Sequence, residues 1–137
     1  MFYVFDASFV GALIIPDETN AQVSKMYSRI KNEDERHAPQ LIWYEITNIF
    51  NNLIRHRRFT EDQVIELYPH LSAFCLICDN ATGTDYSRKL LRLCRGYNLS
   101  SYDAAYLELA KRKGAVLCTL DGSLKVAAKK HGVPVLK

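Results

Sequence analysis

The stretch SSYDAAYLELAKRKGAVLCTLDG, residues 100–122, holds the pattern that decides the fold. Ser100 or Ser101 supplies a helix cap. The spacing then predicts a helix over Tyr102–Lys113, which Gly114 stops. Ala115–Leu120 is apolar and β-prone and reads as a strand. Asp121 follows it, and Gly122–His131 reads as another helix, ended by Gly132. Helix, strand and helix in close succession predict α/β architecture with a mostly parallel sheet.

Outward from this stretch the same order returns. Phe2–Phe5 reads as a buried strand ending at Asp6, and Ala7–Ile15 as a short apolar helix stopped by Pro16. Glu18–Lys31 carries a mixed helical pattern. Asn32–Arg36 reads as a charged loop, and His37–Pro39 as a minimal strand. Gln40–Arg57 forms a long helical pattern. Thr60 and Gln63 form a capping box, and its helix runs to about Leu71 with Pro69 as a kink or end. Ala73–Cys78 reads as a strand. Thr84–Arg95 is an amphipathic helix closed by Gly96, and Val133–Leu136 is a last short strand. No repeat or linker divides the chain.

The 137 residues suit one domain, 1–137. A domain of this size buries roughly two thirds of its unfolded surface and needs no disulfide. Hydrophobic residues make up 48% and charged residues 24%, ordinary for a globular protein, and the net charge of +3 does not single out nucleic acid. Cys75 and Cys78 lie inside an apolar run, and Cys94 and Cys118 form no second close pair. The cysteines therefore read as reduced and mostly buried, not as a zinc or redox motif. His37, His56, His70 and His131 lack metal-ligand spacing and read as surface or loop residues. The start lacks a basic stretch and Asp6 interrupts the first apolar run after five residues, so no signal peptide is expected there. No apolar run approaches the ~18 residues of a membrane span. The expected compartment is the cytoplasm, with no membrane partner.

The acids carry the chemistry. In open α/β sheets, ligands bind beyond the carboxyl ends of strands. Asp6 and Asp121 sit at such ends, although each also suits a helix cap. Asp103 lies in a first helical turn, where the helix dipole favours negative charge. Glu45 is harder to explain structurally. It lies within Trp43-Tyr44-Glu45-Ile46, a mostly apolar part of the long helix, with Asn48 at i+3. Carboxylates crowded on one rim repel one another, and a divalent cation is their natural partner. Magnesium and manganese prefer oxygen ligands and bind where phosphates bind. No Gly-x-Ser-x-Gly elbow and no phosphate loop with its Gly-Lys pair is present.

Together the segments Val4-Phe5-Asp6-Ala7-Ser8, Glu45-Ile46-Thr47-Asn48, Ser101-Tyr102-Asp103-Ala104-Ala105-Tyr106-Leu107-Glu108-Leu109-Ala110 and Thr119-Leu120-Asp121 make the chain resemble the PIN-domain ribonucleases, specifically the VapC-type toxins of toxin–antitoxin pairs. The likeness spans essentially the whole chain. It implies a PIN-like domain with a five-stranded, mostly parallel sheet flanked by helices on both faces. It implies that Asp6, Glu45, Asp103 and Asp121 are catalytic and hold one or two Mg2+ or Mn2+ ions. Ser8, Asn48 and Thr119 would orient those acids or a water. RNA hydrolysis, a small antitoxin partner and a homodimer are further implications of the likeness.

Substrate attraction requires positive charge near the acids. Arg88, Arg92 and Lys125 are the candidates, with solvated helix faces as the plainer reading. Tyr44 and Tyr102 are candidates for stacking on bases, with core packing as the plainer reading of both. Asp85 is an extra acid near the rim or the first-turn acid of its helix. A PIN nuclease of RNA processing would share the chemistry. A magnesium-binding receiver module needs two adjacent acids after the first strand, and a haloacid-dehalogenase-type phosphatase needs Asp-x-Asp there. Asp6-Ala7-Ser8 provides neither.

Overall fold

A computed structural model describes all residues, 1–137. In chain order the elements are β1 (Phe2–Phe5), α1 (Ala7–Ile14), α2 (Ala21–Tyr27), β2 (Glu35–Pro39), α3 (Leu41–Arg55), α4 (Glu61–Ile65), α5 (Tyr68–Ser72), β3 (Ile77–Asp79), α6 (Thr84–Tyr97), α7 (Ser101–Lys113), β4 (Val116–Cys118) and α8 (Gly122–Lys130). The strands form one parallel sheet in the order β3-β2-β1-β4. The order reverses direction at β1: two strands extend to one side of it and β4 to the other. Crevices form beside such reversals, beyond the strands' carboxyl ends.

The sheet has four strands, not the expected five. Val133–Leu136 does run beside β4, but only as a single parallel bridge, Leu117 to Val135. Leu117 N–H donates to the Pro134 carbonyl at 2.8 Å, and Leu136 N–H to the Leu117 carbonyl at 2.9 Å. Pro134 has no N–H of its own, so this edge cannot extend a ladder.

Several element boundaries also move. The helix expected over Glu18–Lys31 shrinks to α2, capped by the Asn20 side chain on Val23 N–H at 3.0 Å. The capping box at Thr60 and Gln63 forms as expected, but its helix splits into α4 and α5. Pro69 falls in the first turn of α5, where a missing N–H costs nothing. The strand expected over Ala73–Cys78 starts only at Ile77, because Cys75 adopts a left-handed backbone with φ 51°. α6 runs through Gly96 and stops at Asn98, the residue that takes the left-handed cap. His37 is buried within β2, against the expectation of a surface residue. All four cysteines are free thiols, but Cys118 alone is buried and Cys75 is exposed.

The core gathers α1, the inner face of α3 and the whole middle of α7 around the sheet. Residues Ala104 to Ala110 are all buried, so α7 is enclosed on every side. That burial fixes the start of α7, and Asp103 with it, beside β1 and β4. No helix is long and apolar enough to cross a membrane.

Candidate active site

Asp6 stands where β1 ends and α1 begins. Its Oδ1 accepts the Phe9 N–H at 2.9 Å, capping α1, and also the Ser8 hydroxyl at 2.7 Å. Its Oδ2 accepts the hydroxyl of the fully buried Thr119, just beyond β4. Thr119 Oγ1 in turn accepts the Asp121 N–H at 3.0 Å, and Ser8 Oγ accepts the Leu120 N–H at 3.0 Å. These bonds lash together the carboxyl ends of two adjacent parallel strands. The side chain of Asp121 then caps α8 through Leu124 N–H at 2.7 Å. Both strand-end acids therefore are helix caps, as their positions suggest, and both face the rim.

Glu45 enters from one turn inside α3. The hydroxyl of the buried Tyr106 on α7 donates to its Oε1 at 2.8 Å. Asp103 lies in the first turn of α7, whose cap is the Ser100 side chain, 3.2 Å from Asp103 N–H. Sequence-distant elements thus bring all four acids to one rim of the sheet.

Electrostatics ties them together. Burial pushes the Asp6 carboxyl above the usual aspartate range, and Asp103 adds to the rise; the bonds from Thr119, Ser8 and Phe9 pull the other way. Burial raises Glu45 as well. The Tyr106 bond opposes it, while Asp6 and Asp103 reinforce it. Burial and then the charge of Asp121 raise Asp103. Ion pairs elsewhere engage Asp17, Glu18, Asp34, Asp79, Asp85 and Glu108. None engages a rim acid. The rim is a concentration of negative charge without a protein cation.

The donor set suits a hard divalent cation: carboxylate oxygens only, mutually repelling and unneutralised. As placed, no three of these side chains converge on one point. Magnesium is commonly bound through only one or two carboxylates, so a cation site here would not require three converging side chains.

Asn48 shares a hollow of about 410 Å³ with Leu41, Tyr44, Glu45 and Tyr102. The expected basic residues are not in it. Arg92 lines a separate cleft with Lys89, Lys111 and Arg112. Lys125 lines another with Lys129 and Lys137. Arg88 sits 3.5 Å from Asp85, which is exposed in the first turn of α6, the plainer of its two readings.

The PIN domain family model matches residues 3–130. The chain belongs to the PIN domain family. Ribonuclease VapC3 of Pyrobaculum aerophilum is 29% identical over 124 residues, covering 90% of this chain and 92% of that protein. A crystal structure of a Pyrobaculum aerophilum protein superposes with a TM-score of 0.68 at 27% identity, over 93% of this chain and 79% of that one. The crystal structure of the Mycobacterium tuberculosis toxin VapC20, described as cleaving the sarcin–ricin loop, gives 0.65 at 16% identity, over 93% and 95% of the two chains. That last likeness speaks to the fold.

Three features of this PIN domain escaped the sequence reading. Tyr106 was visible only as part of a motif, yet it is the side chain that grips Glu45. Tyr44 and Tyr102, expected in the core, are 76% and 62% exposed. Glu108, named in the sequence only as part of the same motif, is buried and shares Arg112 with Asp79, at 2.8 Å and 2.6 Å. The i, i+4 spacing of Glu108 and Arg112 was the one available signal.

Proposed function

We propose that this PIN domain is a magnesium- or manganese-dependent endoribonuclease and the toxin of a VapBC-type toxin–antitoxin pair. The observation that carries the reading is the rim of Asp6, Glu45, Asp103 and Asp121, none of which has an ion pair in the protein; burial raises Asp6, Glu45 and Asp103, and neighbouring rim acids add to each rise. The VapC3 relative supports RNA as the substrate.

In this reading Asp6, Glu45, Asp103 and Asp121 hold Mg2+ or Mn2+. When bound, such an ion supplies Lewis acidity toward a phosphodiester and makes water a stronger acid. The chain's own residues prepare the site. Ser8 and Thr119 fix both oxygens of Asp6, so its carboxylate cannot rotate away. Tyr106 fixes one oxygen of Glu45 and leaves the other free. Asn48 lines the same hollow as Glu45 and would orient a water or a phosphate oxygen there. A small antitoxin and a second copy of the chain are the proposed partners, and the cytoplasm the proposed compartment; family likeness supports all three.

The test is to map cleavage ends on total cellular RNA treated with the wild-type chain or with Asp6→Asn. Discrete new ends that require Mg2+ or Mn2+ and vanish in the variant are expected. Identical ends from both proteins would overturn the assignment.

A further inference from the structure

Tyr44 and Tyr102 are the two most exposed aromatic side chains of the chain, at 76% and 62%. They come from different helices, α3 and α7. Each immediately precedes a rim acid: Tyr44 precedes Glu45, and Tyr102 precedes Asp103. Successive helical residues point about 100° apart, so each ring flanks its acid instead of covering it. Both rings line the hollow that contains Glu45 and Asn48. The fold gives neither ring an aromatic neighbour, although it pairs the rings of Phe2, Phe5, Phe50, Tyr68, Phe74 and Tyr97 with others. Neither hydroxyl is bonded within the protein. Two large rings held in water at the mouth of an acidic hollow do nothing for the core. Their faces are free for a ligand.

We propose that Tyr44 and Tyr102 form a stacking platform for an unpaired RNA base beside the phosphodiester bond that is cut. This rests on the ribonuclease reading above. The hollow is continuous with the rim through Glu45, so a base lodged there leaves its own phosphate close to the carboxylates. Aromatic faces stack on any base, and Asn48 offers both a donor and an acceptor to a base edge. A base in a duplex is already stacked between its neighbours and cannot enter. The tyrosines therefore select unpaired RNA and set which bond meets the acids.

Steady-state cleavage of a short unpaired oligoribonucleotide in Mg2+ tests the idea, with the same sequence annealed to its complement alongside. Tyr44→Ala and Tyr102→Ala should each raise KM roughly ten-fold, and Tyr44→Phe and Tyr102→Phe should stay within about two-fold of wild type, because stacking needs the ring and not the hydroxyl. A 2-aminopurine base next to the cleaved bond should lose fluorescence on binding the wild-type chain and keep it with the double alanine variant. Circular dichroism should be unchanged throughout, since both residues are exposed. An unchanged KM in the double alanine variant, with an active wild type, overturns the platform and gives the hollow to a protein partner. Equal losses in the phenylalanine variants overturn it too, as does equal cleavage of the duplex. An inactive wild type instead overturns the ribonuclease reading itself.

Discussion

The phenol of Tyr106 donates a 2.8 Å hydrogen bond to Oε1 of Glu45, joining α7 to α3 across 61 residues of sequence. Burial pushes the Tyr106 hydroxyl far above its ordinary range, and the charge of Glu45 adds to the shift. The hydroxyl therefore keeps its proton and remains a donor at any physiological pH. The bond favours the charged form of Glu45 against burial and against the neighbouring acids.

Tyr106→Phe removes this donor and leaves the ring in place. Cleavage at limiting Mg2+ should fall by about 10- to 100-fold, as for other groups that orient a metal ligand. Excess Mg2+ should recover part of the loss. A Mg2+ titration of cleavage, with melting temperature as the control, makes the check; wild-type behaviour throughout would show that Tyr106 only fills space.

Neutralising a rim acid should stabilise the metal-free protein where that acid is not a cap. Glu45→Gln and Asp103→Asn relieve repulsion among the half-buried rim charges and should raise the melting temperature. Asp121→Ala should lower it, since losing a cap costs about 1 kcal/mol, or roughly 2–4 °C for a domain of this size. Asp121→Asn keeps the cap through its amide oxygen. Differential scanning calorimetry in EDTA distinguishes these outcomes. A fall for Glu45→Gln would mean that its charge is structural.

The pH dependence follows from the same shifts. Asp6, Glu45 and Asp103 have folded values raised above their unfolded ones. Between those two values the folded state holds more protons, so stability drops as pH rises through the window, starting at about pH 4. Above the folded values the penalty is complete. Urea titrations of metal-free protein from acid to neutral pH should thus show a shallower decline for Glu45→Gln than for wild type. Adding Mg2+ at neutral pH should offset the penalty in wild type. Superimposable pH profiles for the two proteins would contradict the shifts.

Arg112 is the structural counterpart to the rim. Its guanidinium serves two carboxylates, Asp79 and Glu108, whose side chains are only 8% and 9% exposed. Burial alone would raise Asp79, but the Arg112 bonds and charge hold its carboxyl below the usual range. Arg112→Met would strand both charges. Arg112 itself is 37% exposed, so the cost should be about 2 kcal/mol, below the 3–5 kcal/mol of a fully buried pair. Thermal melting reads it as a fall of roughly 5 °C. An unchanged melting temperature would show that solvent already screens the pair.

What the sequence disclosed was what is local. Phe2–Phe5 and the helix behind it are continuous apolar runs, and both formed where expected. Asp6 and Asp121 are legible as caps and as strand-end acids because both roles depend on near neighbours. Val133–Leu136 reads as a strand by composition, but Pro134 cannot donate to a ladder, which only the pairing with Leu117 reveals. The start of β3 depends on a left-handed Cys75, a position where few side chains are expected. His37, Glu108 and Tyr106 owe their burial to distant parts of the chain. Exposure of Tyr44 and Tyr102 was equally invisible, since an aromatic residue beside an acid on a helix has no sequence mark for facing outward.

The most direct test of the central claim is cleavage of a single-stranded RNA by purified wild type and Asp103→Asn across a Mg2+ titration. The account predicts metal-dependent cleavage by wild type, none by the variant at any Mg2+ concentration, and an intact fold by circular dichroism in both. Wild-type cleavage by Asp103→Asn, or cleavage by wild type that persists undiminished in EDTA, would contradict it.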